Sequence, residues 1–424
     1  MAAPAHILDG YKVLDFTQYI AGPTATRMMA AMGAEIIKIE LAPAGDRTRE
    51  LPYIKGGRSG YYIQQNIGKK SICVDIKQPA AIALIKELIA KVDVLVENFA
   101  PGVIARMGFD YATVKTLNPK IIMCSISTFG QQGPLAHLPG YDFIAQAYSG
   151  ITSMIGEPDG PPLFPTAALG DVSTGVNAAL AIVSALLYRE RTGTGQLLDI
   201  ALLDAYFNCH HTAVQMYSLS GGRIKLTRGG KHLSYGAPCS MYRGRDHYIV
   251  IIGGVEHQWR QLCDAMGRTD LKEDARFRTN ADRVAHTEEL YEIIQGWLTS
   301  FPSDDAIMAR LNEFRVPAAP VLSAEEAINH PHLRERGTVT RMHDQLIGDI
   351  DLPGFPLKFS AFPDGLRLQA PTLGEHNGEI LERYLGYDGA RVAALERSAL
   401  QQARLTAPEF PGDDRSPAPP FAQG

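Results

Sequence analysis

Tyr11-Lys12-Val13-Leu14-Asp15-Phe16, then Thr24 to Met32, then Ala34-Glu35-Ile36-Ile37-Lys38-Ile39, sets an apolar run, a helix-forming segment and a second apolar run in succession. Pro23 stands at the opening of the middle segment, where a helix tolerates proline, so the reading is strand, helix, strand. The pattern repeats downstream. Lys70 to Ile76 is strand-like, and Ala80 to Ala90 places Ile82, Leu84, Ile85, Leu88 and Ile89 at helical spacing. Val92 to Glu97 and Ile121 to Ile126 are further β-rich runs, Val172 to Arg189 is the longest apolar helix, and Gln196 to Asp204 starts as a strand. Alternation of this kind implies crossover units and a mostly parallel sheet, hence an α/β fold.

At 424 residues the chain exceeds one ordinary core, so two domains or one elaborated α/β domain are expected. A large domain is read over 1–217. Ser218 to Tyr235 turns loop-like and basic, and 225–325 reads as a smaller α+β domain with a strand pair inside Tyr242 to Ile252. Helical patterns follow at Trp259 to Met266 and Thr287 to Ser300. The part 326–406 resumes strand-like text at Gly354 to Phe362. The stretch 407–424 holds five prolines without periodicity and is expected to be disordered.

Composition narrows the partners. A net charge of −5 gives no electrostatic reason to bind nucleic acid or an anionic membrane. Asp9, Lys12 and Asp15 interrupt the apolar runs near the start, and no segment reaches the roughly 18 to 20 uncharged apolar residues of a membrane span. Five scattered cysteines, Cys73, Cys124, Cys209, Cys239 and Cys263, suit a reducing compartment and suggest a cytoplasmic enzyme without disulfides. His210-His211 and His330-x-His332 lack a third ligand at metal-site spacing, so no metal is expected. Gly193-x-Gly195 follows a helix and precedes a strand, the reverse of a phosphate-binding glycine loop, and marks a helix end instead. The first strand-to-helix loop, Thr17 to Pro23, also lacks the three-glycine pattern, so nicotinamide chemistry is not expected.

The candidate chemistry lies in Ala167-Ala168-Leu169-Gly170-Asp171-Val172-Ser173-Thr174-Gly175. Asp171 is a lone carboxylate at the start of a buried helix. Two readings stand side by side. Asp is a favoured helix cap. It is also placed as a nucleophile, with Gly170 allowing close approach and backbone N–H groups at hand to hold negative charge.

The run from Leu169-Gly170-Asp171 through Arg189-x-Arg191-Thr192-Gly193-x-Gly195-Gln196-x-x-Asp199 resembles the signature of the class III CoA-transferases. Other blocks match in order: Val13-Leu14-Asp15-Phe16, Ala21-Gly22-Pro23, Gly33 to Glu40, Gly45-Asp46, Asn66-x-x-Lys69-Lys70-Ser71, Val96-Glu97-Asn98-Phe99-x-Pro101-Gly102, Gly140-Tyr141-Asp142 and Gly374-Glu375-His376. The resemblance implies a Rossmann-like large domain, a C-terminal part that rejoins it, and an interlocked homodimer. It implies that Asp171 attacks an acyl-CoA thioester, forms a mixed anhydride and then an aspartyl-CoA thioester, and passes CoA to a free carboxylic acid. It implies no tightly bound cofactor, with coenzyme A and acyl-CoA as substrates. The matched positions for CoA are Gln18, Ala21, Ile72, Asn98, Phe99, Arg106 and Met107. Arg106 has chemical sense of its own, because a forked guanidinium suits phosphate.

Departures refine the expectation. Leu41 stands where relatives carry a basic residue. The small-domain glycine run of formyl-CoA transferases is replaced by Gly229-Gly230-Lys231-His232-Leu233-Ser234-Tyr235-Gly236. Lys231 and His232 are therefore either candidate partners for the far carboxylate of a diacid, with succinyl-CoA as a candidate donor, or ordinary residues of a surface loop. The related α-methylacyl-CoA racemases read Gly-His-Asp where this chain has Gly140-Tyr141-Asp142. Tyrosine is a poor acid/base at that place, which favours transfer over racemisation and leaves Tyr141 as a candidate substrate contact.

Overall fold

The computed structural model describes residues 6–51 and 53–400; the proline-rich stretch 407–424 lies outside them. The chain divides into two compact units. The first takes the chain up to Ser149, then Ala167–Cys209, and again from Arg334 onward; the second takes Gly150–Thr166 and His210–Leu333. Segments 150–166 and 210–217, read from sequence as part of the large domain, thus join the second unit, and the return falls at 334 rather than 326. Long-range hydrogen bonds explain the first of these shifts. The Arg228 guanidinium donates to the carbonyls of Glu157 (3.1 Å), Ser153 (3.3 Å) and Pro158 (3.3 Å), and Gly230 N–H donates to Gly156 O at 3.1 Å.

The first unit is built on six strands: β1 (Lys12–Asp15), β2 (Glu35–Leu41), β3 (Lys69–Val74), β4 (Val94–Glu97), β5 (Ile122–Ser127) and β6 (Leu197–Ala201). Their order is β3-β2-β1-β4-β5-β6, parallel throughout, with Leu14 opposite Ile37 and Leu95, and Met123 opposite Leu197. Helices that position the site are α1 (Ala21–Ala31), α2 (Gly60–Asn66), α3 (Pro79–Ile89), α4 (Val103–Arg106), α5 (Tyr111–Leu117), α6 (Asp142–Tyr148), α7 (Leu169–Thr192) and α8 (Leu202–Phe207). Val13, Leu14, Ile37, Val94, Leu95 and Ile122 are fully buried, as befits strands covered on both faces. That double burial is why the strands read as unbroken apolar runs.

α7 carries two apolar faces. Gly170, Thr174, Gly175, Ala178, Ala179, Ile182, Ala185 and Leu186 are buried. At Gly175 an added Cβ would lie 2.6 Å from both the Ala21 carbonyl oxygen and Thr24 Cβ, so α1 and α7 approach to backbone contact only because that position is glycine. By length and composition α7 is the one helix among the described residues apolar enough to cross a bilayer. Gly193, in the left-handed conformation, ends it, and Arg189 pairs with Asp93 at 2.9 Å.

Beneath the loop after β1 lies a buried ionic network. Asp15 accepts from Thr17 N–H (2.8 Å), Thr26 Oγ1 (2.8 Å) and Lys69 Nζ (3.0 Å). Lys38 donates to Thr17 O at 2.6 Å and pairs with Asp46 at 2.9 Å. Glu40 receives Arg49, Tyr62 and Ser71. Ser71 in turn takes Gly374 N–H at 2.9 Å, and Ser71 N–H donates to His376 Nδ1 at 3.2 Å. The C-terminal part therefore joins the first unit through β3.

The C-terminal strands differ from expectation. Val339–Asp344 and Gly348–Pro353 form an antiparallel hairpin, while 354–362 contributes no ladder. Pro356 removes a donor from that second stretch. The second unit holds the three-stranded antiparallel sheet Ala318–Pro320, Tyr248–Ile252 and Cys239–Arg243, backed by Glu256–Met266, Thr287–Leu298 and Asp304–Glu313. Trp259, Leu262, Phe277, Ile294, Ile307 and Leu311 form its core.

Candidate active site

Asp171 occupies the third position of α7, behind Ala168 at the N-cap, and its side chain makes no capping bond. The capping reading therefore falls. Its carboxylate is half-buried and has no ion pair among the described residues. Burial, with the nearby charge of Asp142 adding to it, pushes the Asp171 carboxyl up to about 7. A carboxylate held at that level is more basic, and so more nucleophilic, than one in water.

The backbone amides at this helix start are not free, contrary to the sequence expectation. Asp171 N–H donates to Asp142 Oδ2 at 3.1 Å. The Tyr206 hydroxyl donates to the other Asp142 oxygen, and Gln146 Nε2 donates to the Tyr206 oxygen at 3.3 Å. Gly170 makes room for the Tyr206 ring: a Cβ there would fall 2.0 Å from Tyr206 Cε2. The close approach that Gly170 permits is thus to a side chain of α8. Neither Asp142 nor Tyr206 was assigned a role from sequence; the only signal for Asp142 was its place in Gly140-Tyr141-Asp142.

The sheet reverses its winding between β1 and β4, and the crevice at such a reversal is where parallel α/β sheets receive ligands. Gln18 follows β1 and Asn98 follows β4. They exchange two bonds across the crevice, Gln18 N–H to Asn98 Oδ1 at 2.8 Å and Asn98 Nδ2 to Gln18 O at 2.7 Å. Phe99 and Met107 are partly buried against the core, and Phe99 N–H donates to Glu97 Oε2 at 2.9 Å. Glu97 is itself buried, which raises its carboxyl to about 7 although the Ser125 hydroxyl and Phe99 N–H oppose the shift. Arg106 ends α4 with its side chain exposed and unpaired among the ion pairs of the described residues. Ala21 opens α1 and is buried. Ile72 is 0% exposed and packs in the sheet core, so its side chain does not face the crevice and only its backbone remains for a ligand.

Tyr141 precedes α6 and is 71% exposed, with its ring edge-on to Tyr19 at 6.4 Å between centroids. Tyr19 holds φ at +67°, a strained conformation for a bulky residue and one that concentrates at ligand sites. On α2, burial and then the Asp171 charge push the Tyr61 hydroxyl up to about 12, which places Tyr61 within the field of Asp171. Tyr61 and Tyr19 carried no sequence signal. In the second unit, Lys231 Nζ lies 3.6 Å from Glu288 and 3.7 Å over the Tyr291 ring. His232 Nε2 lies 3.1 Å from Glu288, and its Nδ1 lies 2.7 Å from Ser240 Oγ. Burial lowers His232, which leaves Lys231 as the cation of the pair. No group of three or more His, Cys, Asp or Glu side chains that could hold a metal occurs among the described residues.

A family profile described as CoA-transferase family III matches residues 8–377. The chain is 35% identical over 401 residues to a succinate–glutarate CoA-transferase of Agrobacterium fabrum, covering 92% of this chain and 97% of that one. It is 35% identical over 424 residues to a formyl-CoA:oxalate CoA-transferase of Rhodopseudomonas palustris, covering 95% and 99%. A crystal structure of a CaiB/BaiF family protein from Brucella suis superposes with a TM-score of 0.78 at 33% identity, covering 89% and 99%. A hypothetical protein from Mycobacterium tuberculosis gives 0.77 at 30% identity, covering 89% and 100%.

Proposed function

Because this chain belongs to CoA-transferase family III, we propose that it moves CoA from succinyl-CoA to a short free dicarboxylic acid, with Asp171 as the covalent carrier. The observation that carries this reading is the environment of Asp171: a half-buried carboxylate that makes no capping bond and has no ion pair among the described residues. Its oxygen attacks the thioester carbonyl, forming an aspartyl–acyl bond while the C–S bond breaks and the electron pair leaves on the CoA sulfur. The thiolate then attacks the aspartyl carbonyl and releases the donor as a free carboxylate. The acceptor carboxylate attacks the resulting aspartyl-CoA thioester, a second anhydride forms, and the returning thiolate takes the acceptor acyl group and frees Asp171. One hard exchange becomes four easier acyl transfers.

Binding follows the crevice. Gln18, Ala21, Asn98, Phe99, Met107 and the Ile72 backbone are proposed to line the CoA path, with Arg106 on its phosphates. Tyr141 is proposed to meet the acyl or acceptor group. Lys231, now balanced by Glu288, is proposed to exchange that partner for the far carboxylate of a diacid, with His232 beside it. The relatives named act on glutarate and on oxalate, so acceptor choice within the family spans diacids of different length. Racemisation is the poorer reading, since Tyr141 supplies no imidazole at that position.

Two further proposals attach to the same reading. Val172, Val176, Leu180 and Leu187 form one exposed apolar stripe on α7, which supports a homodimer. Sedimentation at 46.2 kDa, the mass of one chain, would remove that proposal. Five free cysteines support a reducing, cytoplasmic setting. The decisive experiment is on Asp171. After incubation with succinyl-CoA and hydroxylamine, mass spectrometry should find modification confined to the Asp171 peptide. Asp171→Ala should abolish exchange while CoA still binds. Native turnover in that variant, or label elsewhere, overturns the reading.

A further inference from the structure

Behind Asp171 the structure holds a buried carboxylate that the four-step exchange does not use. Asp142, at the first position of α6, accepts Asp171 N–H on one oxygen and the Tyr206 hydroxyl on the other. Tyr206 comes from α8, its ring seated on Gly170 and its oxygen held by Gln146. Two separate helices, α6 and α8, thus converge on the first turn of α7. We infer that Asp142 and Tyr206 are positioning residues for Asp171, fixing its backbone through the N–H bond and setting a like charge behind its carboxylate. The inference rests on the reading of Asp171 as nucleophile.

The charge has a direction in the chemistry. With Asp171 free, two carboxylates share a water-poor site. When Asp171 forms the anhydride or the thioester, its oxygen bonds to an acyl carbon or is replaced by the CoA sulfur, and one of the two charges disappears from the pair. Repulsion present in the resting enzyme is therefore relieved in every covalent intermediate. The groups facing Asp171 support this arrangement. Asp142 comes from α6, Tyr206 from α8 by way of Gly170, and Tyr61 from α2, and none of the three is a cation. Glu97, at the end of β4, titrates in the same range as Asp171 but keeps its own partners, Ser125 and Phe99.

Asp142→Asn separates charge from geometry. The amide oxygen can keep Asp171 N–H while the NH2 group donates to the Tyr206 oxygen, so the bonds survive and the charge is gone. We expect kcat to fall about 10- to 100-fold, with the KM for acyl-CoA changed less than about threefold. The acid limb of kcat/KM should move to lower pH by about one unit, because removing a like charge lets Asp171 lose its proton more easily. Glu97 contributes equally to native enzyme and variant, so the difference isolates Asp142. A purely structural role predicts an Asn variant with native kcat and an unmoved limb, and that result overturns the inference. Tyr206→Phe keeps the ring on Gly170 and removes the hydroxyl, which donates to Asp142 and accepts from Gln146. It should also lower kcat at unchanged KM, and native kcat there overturns the inference even if Asp142→Asn does not fold. Hydroxylamine trapping on the same preparations keeps the two readings apart. A native Asp171 label with no Asp142 effect sinks only the positioning role, whereas turnover by Asp171→Ala sinks the nucleophile.

Discussion

Gly170→Ala is the smallest change that tests the architecture of the site, because it adds one methyl and removes no functional group. The added Cβ would lie 2.0 Å from Tyr206 Cε2, 2.5 Å from Cζ and 2.7 Å from Cδ2. Carbon atoms in contact sit roughly 3.5–4.0 Å apart. The ring must therefore retreat by about 1.5 Å or more, and it is buried, with its hydroxyl committed to Asp142. Overpacking of this kind costs about 1–3 kcal/mol, or roughly 2–4 °C in Tm for each kcal/mol in a domain of this size. Catalysis should suffer more than stability. A shift of about 1 Å in the groups that hold a nucleophile costs on the order of 100-fold in rate, while Gln18, Asn98 and Arg106 are untouched. Steady-state kinetics should accordingly show a kcat lower by about 100-fold with an acyl-CoA KM near native. A Gly170→Ala enzyme with native kcat and Tm would refute the packing argument outright.

Three further outcomes are expected. The Asp171 carboxyl is raised in the folded state, so the proton it binds stabilises the fold at low pH, and that contribution is lost as pH rises from about 3.8 to about 7; Asp171→Asn should therefore gain Tm relative to native at pH 8 and little at pH 4, and a gain that does not depend on pH would contradict the assignment. Lys69→Met leaves buried Asp15 without its ion-pair partner, Lys38 acting on it only through space, and should cost about 3–5 kcal/mol in chemical denaturation, with Lys69→Met/Asp15→Asn recovering part of it; an unchanged midpoint in the single variant would show that Thr17, Thr26 and the charge of Lys38 are enough to satisfy Asp15. Lys231→Ala should raise the KM for a diacid about 10- to 150-fold and leave monoacids nearly unaffected, whereas Glu288→Gln should lower the diacid KM by freeing Lys231; equal effects on both acid types would leave the loop outside the acceptor site.

The large sheet was legible in sequence because its strands are covered on both faces. Val13-Leu14, Ile36-Ile37 and Val94-Leu95 are apolar on both sides, so runs alone locate them to within a few residues. The hairpin at 339–353 defeated the same method. Thr340, Arg341 and His343 are exposed and polar, and the hairpin is held by Arg58 on Asp344 and by Arg334 and Arg341 on Asp351. Those pairings are tertiary and leave no periodic trace. Segment 150–166 was misplaced for a related reason: the hydrogen bonds that assign it to the second unit come from Arg228 and Gly230, some 70 residues onward.

At the site the same division holds between what one position states and what a fold assembles. Asp171 could be singled out because a carboxylate behind glycine at a helix start is a local pattern. Whether it capped the helix or stood free was not local. That depended on Asp142, 29 residues away, taking the backbone N–H, and on Tyr206, 64 residues from Asp142, holding Asp142 in place. The charged residues quoted from the first blocks have a parallel explanation. Asp15, Lys38, Asp46 and Lys69 carry no local sign of burial in a linear text, yet each is buried and paired. Buried ion pairs rarely add net stability over apolar packing, so their presence asks for another reason. Their position offers one. Asp15 and Lys38 both bond to Thr17, at the root of the loop that carries Tyr19 in its strained conformation and locks Gln18 to Asn98. A network of directional bonds holds such a loop in one geometry where apolar contacts would permit several, and the function proposed above asks for one geometry in the crevice between β1 and β4, so that a thioester can be presented to Asp171.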